Sequence, residues 1–419
     1  MHVTETTARP PGGSRGRTQL GPALALIHGG RAPTRAALGA GLGVTRATAG
    51  AVAAELQALG LIQVDTTPGG GTLGRPSHRL SIDPDGPVAL AAQIHPDGFQ
   101  VALIGLGGRV VAASDRTMNV VDDPEQALAP VAEAGARLLR LARPQSPQIP
   151  SNRACVGAGL AVPSAVAEPA GVAVSPLYLR WPTGTPIRDI FADQIRRAGI
   201  TGAGGGPCAC SAANDINLAA LAEHRHGAGR DARHLLVVAT GHRGVGGALV
   251  LGGALYTGST GLGMEVGHVS IDPQGRACRC GSRGCLDVET DALSFLDAAG
   301  RVPRAGVPVI EQAIAVLRGD YATDPAVRSA ATLVIERLGL GLADLINVLN
   351  PDRILLGSLH GDLLAADPER LRAIVAARSP WGRGSSVPVL GCVLDNGSLI
   401  GAAELAWQPV LDDPSILEG

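Results

Sequence analysis

Residues 278–285 read Cys-Arg-Cys-Gly-Ser-Arg-Gly-Cys, which puts three of the chain's seven cysteines into eight positions. His268 stands upstream, with nine residues between it and Cys278. Gly281 and Gly284 let the backbone turn sharply around one point, so the segment predicts a tight knuckle. Three thiolates from Cys278, Cys280 and Cys285 and the imidazole of His268 complete the Cys3His set of a closed structural zinc site. A disulfide is the first alternative, and it leaves one of the three thiols over. Buried cysteines without a ligand are the second, but they rarely gather at such spacing. Any fold this chain adopts must bring His268 back over the cysteine loop.

The rest of the composition bounds the number of cores. At 419 residues, two or three domains are expected. Aromatic residues make up only 2% against 45% hydrophobic, so the cores must be built from Ala, Val, Leu and Ile. All 35 basic residues are Arg, and without Lys a Walker-type phosphate loop is excluded. Residues 1–80 hold eight Arg against Glu5, Glu55 and Asp65, a balance of +5 that leaves −7 for the remainder of a total of −2. A basic front on an acidic body predicts a polyanionic partner. The first twenty residues lack an apolar core segment, and no run of eighteen apolar residues is uninterrupted. The expectation is therefore a cytoplasmic protein without a membrane span.

Residues 1–17 are rich in Pro, Gly, Thr and Arg and are read as a disordered basic arm. Residues 18–82 change texture. QLGPALALIHGG predicts a helix ending at Gly29–Gly30, PTRAALGAGLG a short second helix, and VTRATAGAVAAELQALGLI a third with Thr45 at its N-cap. Val52, Leu56 and Leu59 share its apolar face. LIQVD and RPSHRLSID, separated by a glycine cluster, predict a hairpin. Three helices and a hairpin are the layout of a winged helix-turn-helix. Its third helix would turn Thr45, Arg46 and Thr48 toward a DNA major groove, with Arg35 on the preceding helix and Arg75 on the wing as further contacts. The alternative is a small helical cap with an ordinary solvated face.

From residue 87 to 419 the pattern becomes α/β. VALAAQI, QVALIGL and GRVVAAS predict a strand meander, PEQALAPVAEAGARLLRLA a helix, and RACVGAGLAVPSAV another strand. RHLLVVAT, GGALVLGG, a long helix to Asn350–Pro351 and DRILLGS follow as a second set. Two similar halves predict a bilobal body with a ligand cleft between lobes. Cys208 and Cys210 read as small buried residues, because no third thiol or histidine lies near them in the chain. Cys155 and Cys392 read as core. Tyr178 and Trp181 hint at an unusual pocket wall.

GMEVGH followed by CRCGSRGC, after VGGALVLGGALYTG, resembles the ROK family of sugar kinases and sugar-responsive repressors. The resemblance runs over nearly the whole chain, including the GRP of residues 74–76 on the wing. It implies an actin-like, hexokinase-like bilobal α/β domain behind the winged helix-turn-helix. His268, Cys278, Cys280 and Cys285 match the family's zinc ligands. Asn214 and Asp215 match its NDxN segment, whose Asp is the base in the kinases. Glu265 and His268 match its sugar-contacting pair. Asp287 stands where the family usually carries Glu, one methylene longer. His268 could then hold the ion through one nitrogen and meet a sugar hydroxyl with the other.

Family kinases carry a DxGGT-like loop on the first strand of the body, where this chain reads AAQIHPDGFQVAL. Pro96 has no N–H to offer a phosphate, and only Gly98 remains of the glycine pair. The second loop, usually LGTGxGGG, reads ATGHRGVGGAL, with His242 and Arg243 in place of small residues. The expectation is a DNA-binding regulator, a repressor, that senses a sugar or sugar derivative and has lost phosphoryl transfer. Its partners would be a duplex operator and the sugar, and it would act as a homodimer or homotetramer. The alternatives are an ATP-dependent sugar kinase with an appended DNA-binding domain, resting on Asp215, and a regulator answering to a partner protein.

Overall fold

The computed structural model describes residues 19–65, 78–118, 122–142, 154–174, 179–242, 244–380 and 383–418. The expected basic arm, the wing tip with Arg75, Tyr178 and Arg243 lie outside the described residues.

The front begins with α1 (Leu20–His28), closed where Gly30 takes φ +69° and Arg31 N–H reaches Leu26 O at 2.8 Å. Thr34 accepts from Ala37 N–H at 3.1 Å and starts α2 (Arg35–Leu42), which Gly43 ends at φ +64°. Gly41, one residue before the last of the helix, is still helical. Thr45 caps α3 (Arg46–Ala58) by accepting from Thr48 N–H at 3.2 Å. Strands β1 (Ile62–Asp65) and β2 (Arg79–Ile82) pair antiparallel, Ile62 opposite Ile82.

The body holds two five-stranded sheets of the same design. In the first, β3 (Val88–His95), β4 (Gly98–Gly105) and β5 (Arg109–Thr117) form an antiparallel meander. Helix α4 (Pro124–Leu141) follows, and β6 (Cys155–Val162) then adds parallel to β3. Past the small ribbon of β7 (Val166–Ala167) and β8 (Val172–Ala173) comes helix α5 (Ile187–Arg197). Strand β9 (Cys210–Asn214) then adds parallel to β6, giving the order β5-β4-β3-β6-β9. Helix α6 (Asp215–His226) leads to the second sheet. There β10 (His234–Thr240), β11 (Val245–Leu251) and β12 (Ala254–Tyr256) repeat the meander, and β13 (Arg353–Gly357) and β14 (Val389–Gly391) repeat the parallel extension. All eight residues of β6 are buried, as a strand covered on both faces requires.

Helices α7 (Leu286–Thr290), α8 (Ala292–Ala298), α9 (Val309–Asp320) and α10 (Pro325–Leu349) cover the second sheet with α11 (Leu359–Ala366) and α12 (Pro368–Arg378). Helix α13 (Gly397–Asp412) crosses back to the first sheet, packing on β3, β6, β9, α6 and α1. The approach is close: a Cβ built on Gly159 would lie 2.0 Å from Ala402 O, and one on Gly401 1.9 Å from Leu218 O. Only glycine permits that contact. Trp407 of α13 is fully buried and donates Nε1–H to Ile104 O at 3.0 Å.

One hydrophobic core runs without interruption from the front into the body. Leu24 and Ile27 of α1, Leu56 of α3 and Leu80 of β2 share it with Ile104 of β4 and with Leu399, Trp407 and Val410 of α13. Among the described residues, no helix is long and apolar enough to cross a membrane.

Candidate ligand cleft and metal knuckle

The knuckle forms as its glycines dictate. Gly281 takes φ +92° and Gly284 φ +60°, and a Cβ on Gly284 would lie 1.6 Å from Asp272 O. Cys278 N–H donates to Ser282 O at 2.8 Å, closing the turn. His268, at the end of a short 3-10 turn, meets the loop as the sequence requires. One donor atom from each of His268, Cys278, Cys280 and Cys285 lies within 4.8 Å of all the others. Cys280 Sγ is 3.6 Å from Cys285 Sγ, and Cys278 Sγ is 3.7 Å from His268 Nδ1. Tetrahedral ligation with metal–sulfur bonds of about 2.3 Å separates two sulfurs by about 3.8 Å and sulfur from nitrogen by about 3.6 Å. These two donor pairs already stand at the spacing of a tetrahedral site, so the cluster can hold a metal ion. Buried Glu289 anchors it, accepting Arg276 N–H at 2.7 Å and pairing with Arg337 of α10 at 2.7 Å.

A cleft of about 460 Å³ opens beside the knuckle, and it gathers Asn214, Asp215, Glu265, His268 and Asp287. Asn214 ends β9 and caps α6, accepting from Ile216 and Asn217 N–H at 3.0 and 3.1 Å and donating to Ser164 O at 3.3 Å. Its amide thus fixes the cleft wall. Asp215, the first residue of α6, keeps Oδ1 on Ile216 N–H at 2.9 Å. Burial lifts its carboxyl to about 7, against the pull of the backbone N–H groups and with a further push from Glu265. The cleft walls also raise Glu265, which reaches solvent; His268 opposes the rise and Asp287 adds to it. Burial raises Asp287 too, opposed by Val245 N–H, His268 and Arg279. The shorter Asp287 spends Oδ1 on Val245 N–H at 2.6 Å. Clustered carboxylates with a neighbouring imidazole offer the acceptors and donors that paired hydroxyls need. Sequence reasoning missed Ser164, on a loop carrying no motif, and Arg279, which stands between two of the knuckle's cysteines; both line the same cleft.

The two turns that the family resemblance matched to phosphate loops are tight. His95 pairs with Gly98, so the β3–β4 hairpin has only Pro96 and Asp97 at its tip. Gly241 N–H donates to Gly244 O at 2.9 Å across the β10–β11 turn. These turns come from different lobes, yet the rings of His95 and His242 stack with centroids 4.0 Å apart and planes 4° apart. Burial, then His242, pushes His95 down to about 4, with Asp97 opposing.

On the front, Thr45 and Arg46 are exposed and Thr48 is half-exposed at the start of α3. Thr45 and Thr48 also bond to each other, Oγ1 to Oγ1 at 3.0 Å. Arg35 is turned inward, donating to His78 Nδ1 at 2.8 Å and lying over Gly50. Cys208 and Cys210 do have a third thiol beside them. Parallel pairing of β6 with β9 brings up Cys155, whose buried thiol is raised first by its bond with Cys208 and then by burial.

The profile of the ROK family matches residues 146–408, well over half of the chain. The chain belongs to the ROK family. Among similar proteins, the DNA-binding transcriptional dual regulator NagC of Escherichia coli K12 is 31% identical over 219 residues, 48% of this chain and 51% of that one. The xylose repressor of Caldicellulosiruptor bescii is 24% identical over 320 residues, 73% of this chain and 74% of that one. A glucokinase of Halalkalibacterium halodurans is 28% identical over 272 residues, 60% and 76% of the two chains. For NagC and for a xylose-repressor relative from Caldicellulosiruptor strain Rt8B.4, the match spans about half the relative's length, 51% and 57%.

A ROK family transcriptional regulator homologous to the E. coli MLC protein superposes with a TM-score of 0.72 at 20% identity, covering 97% of this chain and 100% of that one. A ROK glucokinase from Streptomyces griseus, solved with glucose and AMPPNP, gives 0.60 at 20% identity over 77% and 99% of the two chains. Together they establish the fold: the regulator matches the N-terminal helical region and the body, and the glucokinase a sugar-kinase-like α/β body.

Proposed function

We propose that this ROK protein is a DNA-binding transcriptional regulator, a repressor, that answers to a sugar or sugar derivative. The observation that carries the reading is the uninterrupted core joining α1–α3 to the lobe whose β9–α6 junction supplies Asn214 and Asp215. A ligand changes DNA affinity only by favouring one interdomain arrangement, and such a core gives it something to act on. In this reading residues 18–82 are the DNA-binding unit, with Arg46 as the leading contact, and residues 87–419 the sensor. Asn214, Asp215, Glu265, His268 and Asp287 hold the sugar. Zinc fills the Cys3His knuckle and fixes Glu265 and His268 beside it. The operator is duplex DNA read by a homodimer or homotetramer, and the setting is cytoplasmic. The stacked imidazoles and the two-residue β3–β4 turn support the loss of phosphoryl transfer, because backbone N–H groups have little room to surround a phosphate there. The test is a gel shift on the DNA upstream of the protein's own gene with a panel of sugars. Specific binding released by one sugar supports the reading, and absence of specific binding at low salt, where phosphate contacts are strongest, overturns it.

A second reading is favoured by Asp215. A carboxyl lifted to about 7 is poised as a general base, as a sugar kinase needs. An ATP-dependent phosphorylation assay across aldoses and N-acetyl sugars separates the two. Robust turnover lost in Asp215→Asn would establish the kinase.

A further inference from the structure

We propose that His95, Asp97 and His242 form a second metal site, which takes a divalent transition ion and clips the two lobes together. One donor atom from each of the three lies within 4.8 Å of the other two. Two imidazoles and one carboxylate are the donor set that suits zinc, cobalt, nickel or copper, in contrast to the oxygen donors preferred by magnesium and calcium. Neither histidine has another evident task. Nδ1 of His95 and Nδ1 of His242 are both buried and without a hydrogen-bond partner among the described residues. A buried polar atom left unpaired is costly, and ring stacking at 4.0 Å does not satisfy a nitrogen lone pair.

The placement makes the cluster more than a chance meeting. His95 ends β3 of the first sheet, and His242 lies in the β10–β11 turn of the second. The two meanders share one design, so these are corresponding turns of the two halves, meeting at the wall of a cavity of about 570 Å³. Asp97 sits at the tip of the two-residue turn that follows His95, and Glu311 of α9 lines the same cavity. Nitrogens sharing a tetrahedral ion lie about 3.3 Å apart, so ligation requires the stacked rings to tilt and donors now within 4.8 Å of one another to close by at most about 1.5 Å. Three protein donors leave further coordination positions open to water or a small anion from the cavity. The ion would tie sheet to sheet at the place where a kinase of this fold manages phosphates. The inference stands apart from the sugar reading, since none of its residues lines the sugar cleft.

The test uses the full chain, first loaded with zinc at the knuckle, then titrated with Co2+. The expected result is one further equivalent of Co2+ whose spectrum shows ligand-field bands and no sulfur-to-cobalt charge transfer. His95→Gln and His242→Ala should each weaken that binding by well over tenfold, because even indirect partners of metal ligands contribute about 10–100-fold. Asp97→Asn, a near-isosteric change at a turn tip, should weaken it too and guards against misfolding of the histidine variants. All three should keep the knuckle zinc and the parent melting profile. Failure to bind Co2+ beyond the knuckle, or binding unchanged in the three variants, overturns the site.

Discussion

His28 Nε2–H donates to both carboxylate oxygens of Glu404, each at 2.9 Å, and so joins the first helix of the front to the long helix α13. The tautomer follows from the other nitrogen, which accepts Gly107 N–H at 3.0 Å. His226 reaches Glu404 at 2.7 Å, and Arg225 closes the group from the same side. Burial alone would push Glu404 up, but His28, His226 and Arg225 hold it well below the usual carboxylate range.

Removing that carboxylate leaves a guanidinium and two imidazoles stranded at the interface. Glu404→Ala should destabilise the chain by about 3–5 kcal/mol, read as a lower denaturation midpoint, and should loosen the front ahead of the body in hydrogen exchange. Because the folded group is held below its ordinary 4.5, its contribution is present above that pH. It is lost as pH falls through the depressed folded value. The acid limb of the stability curve should therefore flatten in the variant.

Asp215 predicts the opposite pH signature. A carboxyl raised to about 7 from 3.8 favours the folded state below the lower figure and loses that advantage as pH rises through the higher. A difference of this size corresponds to about 4 kcal/mol between protonation states as an upper bound. Asp215→Asn should therefore be the more stable protein above pH 7, and urea midpoints from pH 5 to 9 will check it. If the bound sugar donates a hydroxyl to the carboxylate, affinity should rise over pH 6 to 8 in the parent and stay level in the variant.

The knuckle and the cleft should fail together. Chelation, or Cys285→Ala, removes a donor of the Cys3His set, and Glu265 and His268 lose the frame that aims them. Elemental analysis should show the ion gone, and a sugar-induced thermal shift present in the parent should vanish. Gly284→Ala should mimic this without touching a ligand, because its Cβ cannot coexist with Asp272 O.

Arg46 stands exposed at the first turn of α3, and Arg46→Ala should weaken operator binding with the salt slope reduced by about one. Thr45→Ala should instead cost about 1 kcal/mol of stability through the lost cap. Comparing melting with DNA titration separates the two roles.

Trp407→Ala opens a cavity where front, body and α13 meet and should cost about 3–5 kcal/mol. Loss of both DNA binding and cleft ligand affinity in one variant would match a shared core, whereas loss of one alone would not.

What the sequence reveals and what it conceals divide by distance along the chain. The knuckle, the Thr45 cap and the hairpin of β1 and β2 are local, so spacing and turn residues suffice to find them. The convergence of Asp215 with Asp287 needed the family resemblance, since the two come from different lobes. His28 and Glu404 are 376 positions apart, and neither sits in a motif. Cys155 meets Cys208 only because two strands pair in parallel, and no periodicity announces a register. Pro96 and His242 read as damage to two separate loops, and nothing in the sequence sets His95 beside His242. Their stacking is a property of the closed molecule.

Helix α13 has a consequence for how the protein comes into being. It fills the core that residues 20–162 begin, and it leaves the ribosome only after the entire second sheet has emerged. Until then α1 has no Glu404 to meet and Trp407 is missing from beneath Ile104. Simple truncation therefore does not separate the front from the body: the second lobe can close while the first waits. Synthesis thus withholds the finished coupling between front and body until residues 397–412 arrive.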